Sequence, residues 1–133
     1  MADTAPNFTV GFTFTDAELH AVEYAGTVAV GDPLMVTGGN AEGLVKVAKQ
    51  TGTAKARYVA VHAGVSGYRT DALFKGTTKV LSTKKWAAGG NVAAKAGNWE
   101  VQASGASPTC GFGYKGVVAD GDYTLIYFHG AGA

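Results

Sequence analysis

Ala29-Val30-Gly31-Asp32-Pro33-Leu34, followed by Gly38-Gly39-Asn40 and Val45-Lys46-Val47-Ala48, has an echo about 58 residues further along the chain. The echo is Ala88-Gly89-Gly90-Asn91-Val92, then Gly97-Asn98, then Trp99-Glu100-Val101-Gln102-Ala103. Each copy reads as a turn, a short apolar run, a Gly/Asn turn and an alternating strand. Two imperfect copies are too few for a solenoid, which needs at least three stacked units. They fit one small β-barrel or sandwich assembled from two related halves. The repeated positions are turn glycines and buried apolar residues, so what is repeated is architecture and no catalytic residue.

Composition agrees. A chain of 133 residues forms one domain with a real core and no room for a second. Its 20 glycines, with abundant Thr, Val and aromatic residues, suit short strands joined by tight turns. Charged residues make up 16%, and hydrophobic residues, at 47%, are too many for disorder. No apolar run reaches the length of a membrane span, and Met1-Ala2-Asp3-Thr4-Ala5-Pro6 lacks the basic and apolar regions of a secretion signal. The expectation is a protein made and kept in a cytosol, with no membrane partner. Cys110 has no second cysteine to pair with and reads as an inert buried thiol beside Gly111 and Phe112.

The net charge of +1 hides an asymmetry. Residues 1–45 carry six acids and no Lys or Arg, residues 46–95 sum to +9, and the remainder sums to −2. Such a division can orient association between molecules. It can equally be neutralised inside one barrel, where the two regions lie side by side. The basic residues are scattered and lack interleaved stacking aromatics, which argues against direct nucleic-acid binding.

Residues 7–15 give the clearest alternation: Phe8, Val10, Phe12 and Phe14 share one face of a strand. The next segment, residues 16–24, reads equally as a helix, capped by Thr15 with Glu18 three residues on, or as a strand. Further strands are expected at Thr27–Val30, Leu34–Val36, Leu44–Ala48, Tyr58–His62, Thr77–Leu81, Val92–Ala94, Trp99–Ala103, Phe112–Val118 and Tyr123–Phe128. The fold class is therefore all-β: a single small β-barrel or jelly-roll-like sandwich of two related halves, with at most one or two short helices. Residues 1–6 form a flexible leader and 7–128 the β domain, with halves at about 26–81 and 86–128; residues 129–133 form a tail. Expected core positions are Phe12, Val28, Leu34, Val45, Val59, Val61, Val92, Val101, Val117, Leu125 and Tyr127.

Chemistry is sparse. His20, His62 and His129 show no metal-ligand spacing, and no nucleophile elbow is present. Gly111-Phe112-Gly113-Tyr114-Lys115-Gly116 matches Gly-x-Gly-x-x-Gly, but Val117-Val118-Ala119-Asp120-Gly121-Asp122 leads into another strand and supplies no helix N-terminus for a phosphate. Asp120 and Asp122 bracket a hairpin turn and are too few for a calcium loop. No catalytic residue, cofactor or metal is expected.

The succession of Gly31-Asp32-Pro33-Leu34, Val59-Ala60-Val61-His62-Ala63-Gly64, Ala87-Ala88-Gly89-Gly90-Asn91-Val92, a Trp-bearing strand and Gly121-Asp122-Tyr123-Thr124-Leu125-Ile126-Tyr127-Phe128 resembles the decoration proteins of tailed bacteriophages. These are the small β-barrel cement, or head-stabilising, proteins. The resemblance spans roughly residues 25–128; the Phe8–Phe14 stretch and the segment after it lie outside the pattern. It implies a structural virion protein on the outer surface of a phage head, assembled in the host cytoplasm. Its implied partners are the major capsid protein and further copies of itself in a symmetric homo-oligomer, a dimer or trimer. Candidate contacts with the capsid or a neighbouring subunit are Phe8, Val10, Phe12, Phe14, Tyr68, Trp86, Tyr114 and Phe128, the residue types that anchor interfaces. A different class of function is a carbohydrate- or receptor-binding β module of a phage tail or fibre, built from Trp86, Trp99, Asn98 and Arg69.

Overall fold

The computed structural model describes residues 8–82, 89–101, 109–114 and 123–130. Among them are nine strands and no helix: β1 (Glu18–Tyr24), β2 (Pro33–Gly39), β3 (Val45–Lys49), β4 (Tyr58–Ala60), β5 (Arg69–Leu81), β6 (Asn91–Lys95), β7 (Asn98–Val101), β8 (Gly111–Gly113) and β9 (Tyr123–Phe128). The first five close on themselves in the order β1-β3-β2-β4-β5, because β1 pairs with β3 on one side and β5 on the other. The fold is thus a closed five-stranded barrel with extra strands, and the sandwich alternative does not apply. β5 is 13 residues long, and its second half leaves the barrel to pair with β9.

The extra strands repeat the order of the first set. β3-β2-β4-β5 has its counterpart in β7-β6-β8-β9, with every adjacent pair antiparallel in both. The end of β5 takes the place of β1: it runs antiparallel to β9, and Ser82 makes a parallel bridge to Trp99 of β7. The two stretches quoted at the outset are the hairpins β2–β3 and β6–β7, at matched positions in the two circuits.

Local chemistry explains the elements. In β1, Val22 and Tyr24 are buried and separated by partly exposed Glu23, a period of two that resolves the helix-or-strand ambiguity in favour of strand. Before β2, Asp32 locks the Gly31-Asp32-Pro33 turn by accepting the Ala29 N–H at 2.9 Å through Oδ2. Between β6 and β7 the turn residues Ala96 and Gly97 have φ of 51° and 80°, the two positive values a type I′ hairpin turn requires. The predicted strand at 7–15 is not one: it makes only a single bridge, Thr13 to Thr78, within an irregular course. Thr27–Val30 likewise contributes only the bridge from Val28 to Gly64. Conversely, the first half of β5, Arg69–Phe74, went unread because it carries charge at Arg69 and Asp71.

Two apolar clusters form the core. One fills the closed barrel, around Val22, Tyr24, Leu34, Val47, Tyr58 and Ala72. The other joins the outer face of that barrel, at Val59 and Leu73, to Val80, Val92, Trp99, Cys110, Ile126 and Phe128 of the second set. Val28, Leu34, Val59 and Val92 are buried as expected, while Val45 and Val61 are half-buried. Phe12 is not core; it is 44% exposed. In β9 the expectation had the wrong face, since Thr124, Ile126 and Phe128 point inward and Leu125 and Tyr127 are half-buried on the other side. Both faces of that strand are apolar, so alternation carries no information about which one is inside. Val117 and the side chain of Val101 lie outside the described residues, as do the leader 1–6 and residues 131–133.

Candidate interaction surface

The inward turn of Ile126 and Phe128 leaves an aromatic outer face on the second sheet. Strand register places Thr77, Tyr127 and Phe112 in one row across β5, β9 and β8. Phe112 is 36% exposed and Tyr114 49%. Their rings meet edge to face with centroids 5.2 Å apart, and Phe112 lies 5.5 Å from Tyr127. Close strand approach makes room for this row: a Cβ on Gly111 would overlap the Tyr127 carbonyl oxygen. Tyr114 is held by its tip. The Thr77 hydroxyl donates to Asp16 Oδ2 at 2.8 Å, and Tyr114 donates its phenolic proton to the same Thr77 oxygen at 2.9 Å. Lys79, nearly buried in the next row, sets its ammonium 5.3 Å from the centroid of the Tyr123 ring.

The N-terminal segment borders this face from the far edge of β5. Gly11 donates its N–H to the Lys79 carbonyl, and the Asp16 carboxylate accepts the Thr77 N–H as well as its hydroxyl. An interlock fixes the segment to the turn before β2. Val10 lies over Gly31 and Val30 over Gly11, with both glycines at positive φ and neither leaving space for a Cβ. Thr13, between Phe12 and Phe14, bridges Thr78 of β5. With Phe8 the two phenylalanines form a triad: Phe8 stacks on Phe12 at 4.7 Å, and Phe14 is edge-on to both, at 4.9 and 5.2 Å. Three phenylalanines thus gather at the surface on a segment with few hydrogen bonds of its own.

No family model and no curated protein matches the chain. A solved structure does match in fold. The chain is similar in fold to a phage head-fiber base. That structure is the head fiber gp8.5 N base of bacteriophage phi29, with a TM-score of 0.65 and 13% identity over 84% of this chain and 93% of that one.

Against this geometry the sequence-derived contact residues separate. Phe8, Phe12 and Phe14 come together with one another, while Tyr114 stands against Phe112 on the second sheet. Val10 lies instead in a cleft of about 240 Å³ with Val30, Asp32, Lys49, Leu81 and Trp99. Tyr68 packs on Gly64 and Tyr24 at one end of the barrel, away from the aromatic row. Phe128 is fully buried against Trp99 and is a core residue, not a contact. Trp86 lies outside the described residues. Phe112, Tyr127 and Leu125 were missed as surface residues; the signal was the two-sided apolar character of Tyr123–Phe128.

Among the described residues, two of the parts expected for a sugar site are engaged elsewhere. Trp99 is 2% exposed and donates its indole N–H to the Gly31 carbonyl at 2.7 Å, while Arg69 is engaged by Glu23 and Glu42. Part of the charge asymmetry is spent within the molecule. Glu23 pairs with Arg69 and Lys46, Glu42 with Arg69, and Asp32 with Lys49. The Asn40 amide and the Arg69 guanidinium hold the Glu23 carboxyl below its usual range. At the barrel's other end His20 stacks on Phe74 at 4.2 Å and lies 2.8 Å from the Glu18 carboxylate, a grouping no sequence motif announced. Among the described residues no three His, Cys, Asp or Glu side chains are placed to hold a metal ion, and no helix is long and apolar enough to cross a membrane.

Proposed function

We propose that this chain is a structural protein of a phage virion that binds the outside of the head and stabilises the lattice of the major capsid protein, with no catalytic step. The observation that carries this reading is the Phe8–Phe12–Phe14 triad, held at the surface of a closed barrel by an interlocked segment. A closed barrel with two packed clusters is a stiff platform, and clustered aromatic rings are the usual anchors of a protein contact. The fold shared with a head-fiber base supports the placement on a phage head. The capsid contact is made by the triad, and assembly takes place in the host cytoplasm, where heads mature.

Co-sedimentation with purified heads tests this. Phe12 is 44% exposed, so Phe12→Ser is expected to leave the fold intact by circular dichroism. It is expected to weaken head binding at least tenfold, the loss typical of an interface anchor. Wild-type binding by Phe12→Ser and by Phe8→Ser alike refutes the proposed contact.

A further inference from the structure

The duplicated strand order is an internal control for what the fold itself requires. Register equates the row Leu73–Val59–Pro33, across β5, β4 and β2, with Tyr127–Phe112–Asn91, across β9, β8 and β6. Pro33 thus matches Asn91, and the residue before it, Asp32, matches Gly90. Both turns close through the same backbone bonds. Gly31 donates to the Ala60 carbonyl at 2.7 Å and Ala60 to that of Asp32 at 3.0 Å. Gly89 donates to the Gly113 carbonyl at 2.8 Å and Gly113 to that of Gly90 at 3.0 Å. Lys49, opposite Leu34, matches Val101, opposite Val92. The second circuit therefore makes the same turn and ladder with a glycine and a valine where the first has a carboxylate and an ammonium. Neither charge is needed to build this architecture.

Both charges border the cleft of about 240 Å³ at the seam between the circuits, where Asn98 joins them and Val10, Val30 and Leu81 supply apolar walls. Each polar group keeps bonding capacity. Asp32 spends Oδ2 on the Ala29 N–H, while Oδ1 lies 3.8 Å from the Lys49 ammonium, an ion pair too long for a hydrogen bond. Lys49 makes no hydrogen bond among the described residues. The Asn98 amide is held only through Nδ2, 3.4 Å from the Ala96 carbonyl. Opposite charges so close together select the ligand. A lone anion drawn to Lys49 is repelled by Asp32, and a lone cation drawn to Asp32 is repelled by Lys49. A zwitterion satisfies both, because its own charges alternate with those of the pair. The volume is below the about 300–1,000 Å³ of sites for drug-sized molecules, which suits one residue-sized body and is too small for a nucleotide or an oligosaccharide. We propose that this cleft binds an apolar α-amino acid. Its ammonium sits on Asp32, its carboxylate on Lys49 and the Asn98 amide, and its side chain against Val10, Val30 and Leu81.

Titration of the isotope-labelled full chain with leucine, followed by NMR at the Ala29 and Asn98 N–H groups and the Trp99 indole, tests the proposal. Saturable shifts are expected there, with a Kd of about a millimolar, the range open to so small a ligand. N-acetylleucine lacks the ammonium and leucinamide the carboxylate, and each is expected to bind at least about tenfold more weakly. Asp32→Asn keeps an acceptor for the Ala29 N–H, Asp32→Gly copies the turn of the second circuit, and Lys49→Met alters an exposed side chain. All three are expected to stay folded by circular dichroism and to lose about tenfold or more in leucine affinity. Should one Asp32 variant unfold, the other carries the test together with Lys49→Met. No saturable shift at about ten times the expected Kd overturns the proposal. So does binding of either one-ended analogue, or of uncharged glucose, as tightly as leucine. Variants that bind leucine as the wild type does overturn it as well. The proposal does not rest on head binding; a chain that binds leucine but no heads leaves it standing, and one that binds heads but no leucine leaves only the proposed function.

Discussion

Replacing Gln50 by Glu is expected to turn a pH-insensitive clasp into one that opens as pH rises. Gln50 is 1% exposed and joins the two circuits. Its Nε2 donates to the carbonyls of Gly52 and Ala54 at 2.9 Å, with the Ala94 carbonyl at 3.3 Å, and its Oε1 accepts the Gly97 N–H at 2.8 Å. A carboxylate keeps the bond from Gly97 but turns an oxygen without a proton toward three carbonyl oxygens in a dry site. The protonated acid, by contrast, can still donate one bond. Folding therefore favours the neutral acid, and the folded-state pKa of Glu at this position lies above its unfolded value of about 4.3. With that sign, the variant keeps its stability below about pH 4 and loses it as pH rises toward the folded pKa, at about 1.4 kcal/mol per pH unit. A folded pKa near about 7 makes the loss at neutral pH about 3–4 kcal/mol, a large share of the about 5–15 kcal/mol that holds a domain folded. Below about pH 4 the deficit is that of one lost hydrogen bond, about 1 kcal/mol. Urea unfolding at a series of pH values, followed by tryptophan fluorescence, reads this directly. Gln50→Leu serves as control, with a loss of about 2–4 kcal/mol at every pH, because it strands the Gly97 N–H and adds no titratable group. A Gln50→Glu profile parallel to that of the wild type between about pH 4 and 8 refutes the reasoning, since it means that water reaches the site.

Ala96 has φ of 51°, a left-handed conformation that costs an L-residue with a Cβ about 1 kcal/mol, and its side chain is exposed. Ala96→Asn is accordingly expected to stabilise the chain by up to about 1 kcal/mol in the same unfolding assay, and no gain means that the turn relaxes in solution. Burial pushes the Cys110 thiol up to about 12, so a thiol-specific reagent at neutral pH is expected to label it no faster than the protein unfolds. Labelling on mixing, in native buffer, would place Cys110 outside the core.

The sequence by itself carries the class of the fold and its duplication. Turn glycines and Asx residues at Gly31-Asp32 and Gly97-Asn98 mark chain reversals whatever surrounds them, since only local φ and side-chain–backbone bonds are involved. Alternation located most strands for the same reason. It misread Phe8–Phe14, where four large apolar residues in alternation are satisfied by ring-on-ring contact and a Val–Gly interlock with a turn 20 residues away, and no strand partner is needed. Inside and outside in Tyr123–Phe128 were decided only by the tertiary structure. Both faces are apolar, and what turns Phe128 inward is its place against Trp99 and the outer wall of the first barrel. The candidate surface follows from that one choice, because the residues displaced to the outside, Leu125 and Tyr127, complete the row with Phe112. Which copy of a repeated row is covered depends on how two similar circuits pack together, a contact between distant parts of the chain that leaves no local pattern to read.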